Sequence, residues 1–247
     1  MAGHSKWANI RFRKAAVDAK RGKLFTKLIR EITVSARSGG GDVSSNPRLR
    51  SAIDKALASN MTRDTVDRAV KRGTGEIDGV TYEEVRYEGY GIGGVAILVE
   101  CTTDNRNRTV SEVRHVFSKH GGNLGTDGSV VYLFEKIGLF GFTSDIDEEA
   151  VMEIAVNAGA DDIETMDDGS IEVTTQTINF EKVSKAFQDA GLQPELSEIV
   201  QRATTDCPLN IEDSDKVMSL ISALEELDDV QDVFTNATFP EEYDPVL

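Results

Sequence analysis

Apolar positions early in the chain recur at helical spacing. Leu24, Phe25, Leu28, Ile29 and Ile32 form one stripe, and Gly39-Gly40-Gly41 stops it. Asn46-Pro47 reads as a cap followed by proline at the first helical position, opening a second helix with Leu49, Ala52, Ile53, Ala56 and Leu57 on its face. A third helix starts at Thr62, with Met61 and Val66 spaced as a hydrophobic staple; it runs through Ala69 and Val70 and is expected to end at Gly73. Three short amphipathic helices with short connections predict a small helical domain.

Beyond Gly73-Thr74-Gly75 the pattern changes to alternating strands and helices. Val95 to Cys101 is a strand run, and Asp104 or Asn105 can cap a helix through Val110, Val113 and Phe117 that closes at Gly121-Gly122. Ser129 to Phe134 reads as a strand, 137–143 as another, and Asp147 to Ala158 as a helix closed by Gly159. A hairpin follows, Asp162 to Met166 and Ile171 to Thr175, turning at Asp167-Asp168-Gly169. Asn179 to Ala190 is a helix and Glu195 to Ala203 a strand. Residues 137–203 therefore run β-α-β-β-α-β, the ferredoxin-like split pattern. A last helix (Val217, Leu220, Ile221, Leu224, Leu227) and strand (Val230 to Thr235) are too small to stand alone. They are expected to return to the β-α-β segment 80–136. The fold class is thus α+β: an N-terminal helical bundle followed by two ferredoxin-like domains, the middle one discontinuous. The expected division is a mobile basic arm at 1–22, a helical domain at 23–75, a middle domain at 80–136 plus 207–240, and an inserted domain at 137–206.

Charge divides the chain unevenly. The 247 residues carry a net −16, but Met1 to Gly75 holds 17 Lys and Arg against 6 Asp and Glu, a net +11. The remainder holds 10 against 37, a net −27. A basic segment on an acidic body points to a polyanionic partner met by one end of the molecule, with the cationic head held apart from the anionic trunk. The longest apolar run, Val95 to Val99, is too short to cross a bilayer, and no apolar core follows the N-terminal bases, so no membrane and no secretory signal is expected. Cys101 and Cys207 read as reduced thiols of a cytoplasmic protein, and no Cys/His pair has zinc spacing.

Lys6, Arg11, Arg13, Lys14, Lys20, Arg21, Lys23, Lys27, Arg30 and Arg37 share their region with only Asp18 and Glu31, and Trp7 and Phe12 lie among them. Such bases neutralise phosphates and release counterions, and an aromatic among them can stack on a nucleobase. The alternative is that Trp7 and Phe12 anchor the arm while the lysines merely solvate it. Thr103 to Thr109 is denser in polar groups than a cap requires, and Arg106 and Arg108 in a first helical turn oppose the helix dipole. The structural reading is an N-cap with solvated first-turn arginines; the other is a secondary contact to phosphate or carboxylate, or an inter-domain contact. Gly89 to Gly94 formally matches G-x-G-x-x-G, but it leads into a strand instead of opening a helix, so a tight turn or bulge explains it and no nucleotide is expected. The acidic clusters, among them Asp147-Glu148-Glu149 and Asp228-Asp229, fall at helix ends and turns without His partners. They read as solubility and as repulsion that makes the basic end dock first. No metal, cofactor or catalytic residue is expected.

The opening Ala2-Gly3-His4-Ser5-Lys6-Trp7-Ala8-Asn9-Ile10 and the later Lys20 to Lys27 resemble the YebC family. So do Gly40-Gly41-Asp42, Asn46 to Arg50, Tyr87 to Gly91 with Gly93-Gly94, Thr103 to Thr109, and Gly121 to Gly125; Ile92 stands where that family typically has proline. The resemblance implies three domains and DNA binding in transcriptional control. Alternatively it implies action at the ribosome, on ribosomal or transfer RNA, in difficult elongation such as proline runs. It supplies no catalytic residues, and it carries nucleic-acid contact to Lys6, Arg11, Arg13, Lys14, Lys20, Arg21, Lys23 and Lys27. A protein partner is expected on the acidic domains. A metal-dependent enzyme on nucleic acid is the remaining alternative.

Overall fold

The early apolar stripes fold as three α-helices in the computed structural model, which describes residues 21–240 and Tyr243 and, for Arg21 and Gly22, the backbone alone. They are α1 (Arg21–Gly39), α2 (Pro47–Ala58) and α3 (Arg63–Thr74). Leu28, Ile32, Leu49, Ala56, Met61 and Val66 are buried together between them. Asn46 serves two helix ends. Its Oδ1 accepts from the Leu49 N–H at 3.1 Å, capping α2, and its Nδ2 donates to the Ser35 and Gly40 carbonyls at 2.8 Å each, where α1 ends. Gly73 does not end α3 as expected. The helix runs to Thr74 and closes on Gly75 at φ 80°, because Gly75 and not Gly73 takes the left-handed conformation. Gly73 instead allows close approach to α1, since a Cβ there would strike the Thr33 carbonyl and lie 2.7 Å from the Ala36 Cβ.

The chain continues as β1 (Glu83–Tyr90), β2 (Ala96–Thr103), α4 (Arg106–Lys119), β3 (Asn123–Leu124), β4 (Phe134–Phe142), α5 (Glu148–Ala158), β5 (Asp162–Thr165), β6 (Ile171–Gln176), α6 (Phe180–Asp189), β7 (Leu196–Ala203), β8 (Cys207–Pro208), α7 (Ile211–Glu225), β9 (Val230–Thr235) and β10 (Ala237–Thr238). One antiparallel sheet has the order β5-β6-β4-β7, which is the ferredoxin-like order. Phe140, Phe142, Val173, Val183 and Phe187 fill the space between it and helices α5 and α6. A second antiparallel sheet has the order β3-β1-β2-β9. It repeats the same arrangement with its third strand, β1, supplied from before the first. β9 arrives from the far side of the β4–β7 segment, and a short parallel β8–β10 ladder lies next to that return.

Two strand expectations change. β1 was not anticipated, because its residues Glu83, Glu84, Arg86 and Glu88 mask the apolar alternation of Val85 and Tyr87. Ser129 to Phe134 is not a strand; a 3₁₀ turn covers Val131–Leu133, and β4 begins at Phe134. The cause is Glu88. Its buried carboxylate accepts from the N–H groups of Gly128 at 2.9 Å and of Val130 and Val131 at 2.8 Å each, so these donors cannot join a ladder. The glycines at 91–94 do form the tight β1–β2 connection, with Gly93 and Gly94 at φ 73° and 79°. The run Val95 to Val99 is apolar throughout because both its faces are covered. Ile97 and Val99 meet Phe117 and Leu220 under α4 and α7, while Ala96 and Leu98 meet Val130, Phe134 and Ala203. Phe234 packs against this second group and also against Leu139, Leu196 and Val200, so it joins the two sheets.

Candidate nucleic-acid interface

Lys6, Trp7, Arg11, Phe12, Arg13, Lys14 and Lys20 lie outside the described residues, and Arg21 enters only as the first backbone position of α1. The remaining first-choice cations, Lys23, Lys27 and Arg30, recur on one face of α1, and that face is turned inward. Lys23 Nζ donates to the Glu226 carbonyl at 2.6 Å. Lys27 Nζ donates to the Glu225 carbonyl at 3.1 Å and the Gln231 carbonyl at 3.5 Å. Burial pulls the Lys27 ammonium below its usual value, against the opposing pull of Asp232 and Glu225. The carbonyls at the end of α7 carry the negative end of its dipole, which suits cations here. Arg30 donates to the Thr102 carbonyl at 3.3 Å, to the Asp228 carbonyl, and to Asp229 Oδ1 at 2.9 Å; its guanidinium lies 5.4 Å from the Tyr82 ring centre. These three residues therefore do not form an open phosphate-binding row. Helical spacing aligned them correctly, but the α7–β9 turn occupies the face they make.

Arg106 and Arg108 separate in role. Arg108 is clamped: its Nη2 lies 2.6 Å from Asp229 Oδ2 and 2.7 Å from Asp104 Oδ1. Thr103 and Thr109 hydroxyls donate to the same Asp229 oxygen at 3.0 and 2.7 Å. Of the readings of this polar cluster, the carboxylate-facing one holds for Arg108, whose partners both lie in the middle domain, while the link to the helical layer runs from Asp229 to Arg30 of α1. Burial by itself would raise the Asp229 carboxyl. Hydrogen bonds from Arg108, Thr109 and Thr103, with the Arg30 charge, outweigh it and hold the group below its usual value. Arg106 stays exposed, 3.7 Å from Glu83.

The helical layer is also fastened to the trunk by exposed pairs. Arg48, itself paired with Glu31 of α1, meets Glu84 at 2.7 Å, Arg50 meets Glu181 at 3.2 Å, and Lys55 meets Glu198 at 3.0 Å. The expected separation of cationic head from anionic trunk is thus corrected: opposite charge draws the two together. Arg37, Arg63, Lys71 and Arg72 are left exposed, without a carboxylate partner among the described residues. Arg37 and Arg72 line a groove of about 280 Å³ at the ends of α1 and α3, together with Ile77, Val80 and Tyr82. The sequence marks Arg37 among the bases of the first helix but not its pairing with Arg72, because the two are 35 positions apart in the chain. Two forked guanidinium groups beside a groove can take phosphate oxygens.

Among the described residues, no group of three or more His, Cys, Asp and Glu side chains could hold a metal ion, and no helix is long and apolar enough to cross a membrane. Burial pushes the Cys101 thiol up to about 12.

Known proteins share this arrangement. A crystal structure described as a conserved hypothetical protein, Aq1575, from Aquifex aeolicus superposes with a TM-score of 0.83 at 47% identity, covering 92% of this chain and 93% of that one. A protein of Nitrosococcus oceani named "Probable transcriptional regulatory protein" is 60% identical over 242 residues, 98% of each chain. One of Thioalkalivibrio sulfidiphilus with the same description is 62% identical over 242 residues, 98% of this chain and 97% of its own. Residues 5–76 match the family description "TACO1/YebC protein N-terminal domain" and residues 82–237 match "TACO1/YebC second and third domain". With both matches following the break that the helical layer makes with the sheets, the chain belongs to the TACO1/YebC family.

Proposed function

We propose that this protein is a non-enzymatic, nucleic-acid-binding regulator of the cytoplasm, a DNA-binding regulator of transcription. It grips phosphates through the basic segment before α1 and through the exposed cations of the helical layer. One observation carries the reading. After the trunk has taken its ion pairs, Arg37, Arg63, Lys71 and Arg72 still face solvent, and five bases against one acid precede Arg21. The names of the relatives support a regulatory role. On this reading the units are 23–75, 80–136 with 207–240, and 137–206, and the acidic ones engage a protein partner.

The test is charge reversal of Arg11, Arg13 and Lys14 to Glu in the full chain, read by fluorescence anisotropy with labelled DNA and RNA. Binding is expected to be lost; unchanged affinity removes the proposal. With about six phosphates contacted, log K falls against log salt with a slope near −5 on duplex DNA.

A second reading is a ribosome-associated factor on ribosomal or transfer RNA. It is favoured by the outward side of α3, where Asp64 and Asp67 stand among Arg63, Arg68 and Lys71. Carboxylates there suit the major groove of DNA poorly, and structured RNA is read by shape. Co-sedimentation with ribosomes at low and high salt separates the two.

A further inference from the structure

The acidic trunk has one helix in which bases outnumber acids, four to the single Glu112. Four of the ten Lys and Arg residues beyond residue 75 lie in the fourteen residues of α4: Arg106, Arg108, Arg114 and Lys119. The helix buries Thr109, Val113, Val116 and Phe117 against the sheet. Its opposite side presents Asn107, Ser111, Arg114, His115, Ser118 and Lys119, all exposed and spaced at three and four residues. Arg114 and Lys119 have no ion pair among the described residues, although acids outnumber bases 37 to 10 in this part of the chain. On so acidic a surface, cations that remain unpaired along one helix face form a local positive strip.

We infer that the outward face of α4 is a second contact for the phosphodiester backbone of the nucleic acid held by the N-terminal region; this rests on the function proposed above. Charge complementarity selects that occupant. A second copy of this chain brings a net −16 against another −16, so self-association meets overall repulsion, whereas a nucleic-acid strand gains counterion release at each base it meets. The fold also links the two regions: Asp229 binds both Arg108 at the start of α4 and Arg30 in α1. Two linked contacts raise overall affinity without either being strong. The side chains suit a backbone contact: forked and point cations for phosphate oxygens, with Ser118 and Asn107 as neutral donors between them.

The experiment compares three forms of the full chain: wild type, Arg114→Glu/Lys119→Glu, and a control with the same charge change elsewhere, Lys136→Glu/Lys182→Glu. All four positions are exposed, so folding is checked simply by circular dichroism. Labelled single-stranded RNA and duplex DNA are titrated across a salt series. The α4 variant is expected to bind about tenfold or more weakly, with a salt slope shallower by about 2 on duplex DNA, while the control changes little. Equal affinity and slope for the α4 variant and wild type overturn the inference while leaving the N-terminal reading intact. Equal losses in the α4 and control variants also overturn it, since overall charge then explains both. Unchanged nucleic-acid binding with an altered sedimentation coefficient identifies the face as a protein contact and overturns it as well. Wild type that binds neither probe removes this inference together with the reading beneath it.

Discussion

Arg30 Nη1 and Asp229 Oδ1 stand 2.9 Å apart, and the contact joins a helix near the start of the chain to a turn 199 residues later. Asp229 is almost fully enclosed and also receives Arg108, Thr103 and Thr109. Replacing it with Ala leaves two guanidinium groups facing a void. The expected loss is about 3–5 kcal/mol of unfolding free energy, measured by urea denaturation. Asp229→Asn, which keeps one acceptor, is expected to lose less.

The pH dependence follows from the same carboxylate. Its folded-state value is depressed, so the folded protein holds the ionised form more strongly than the unfolded chain does. The stabilisation is therefore complete above about pH 4 and disappears as pH falls through the folded value. Urea midpoints of wild type and Asp229→Asn are expected to converge at acid pH.

Asp232 behaves oppositely. Enclosure by the surrounding protein, then Glu198 and Glu100, raise its carboxyl to about 6 against the pull of Lys55 and Lys27, although solvent still reaches the side chain. Between about pH 4 and 6 the folded form binds more protons than the unfolded chain, so this group adds stability as pH falls and costs stability above 6. Asp232→Asn is expected to be more stable than wild type at pH 7.5, with the difference shrinking by pH 5. A constant difference across that range contradicts this.

Glu88 pins the loop before β4 through three backbone N–H groups. Glu88→Gln retains one carbonyl oxygen and turns a carboxamide NH2, itself a donor, toward backbone donors. Loss of about 1–3 kcal/mol is expected, and amide exchange at Gly128, Val130 and Val131 should accelerate more than elsewhere in the middle sheet.

Asn46→Ala removes the cap of α2 and the two donations to Ser35 and Gly40. The expected cost is about 2 kcal/mol, above a simple cap, because the buried Ser35 carbonyl and the half-buried Gly40 contact also lose the amide donor. Arg48→Ala gives the contrast: its pairs with Glu31 and Glu84 are 44% exposed on the Arg48 side, and a change of about 1 kcal/mol or less is expected.

Periodicity alone made the three helices, the order β4-α5-β5-β6-α6-β7 and the return of α7 and β9 readable, because apolar spacing reports which face of an element is buried. Local chemistry likewise announced the Asn46 and Thr62 caps and narrowed the third to Asp104 or Asn105, of which Asn105 is the cap; each accepts a backbone N–H within three residues. β1 stayed hidden behind its charged residues, and the false strand at 129–134 arose because Glu88, some forty positions earlier, claims its donors.

What the chain's order of residues determined by itself was the set of elements and the split of charge, +11 before residue 76 and −27 after it. Which of those charges remain available was decided only by tertiary structure. Lys23, Lys27 and Arg30 meet the end of α7 some 200 residues away, while Arg114 and Lys119 make no ion pair among the described residues. The physical reason is range. Secondary structure depends on neighbours a few residues apart, whereas an ion pair depends on distance in space, which no linear spacing encodes.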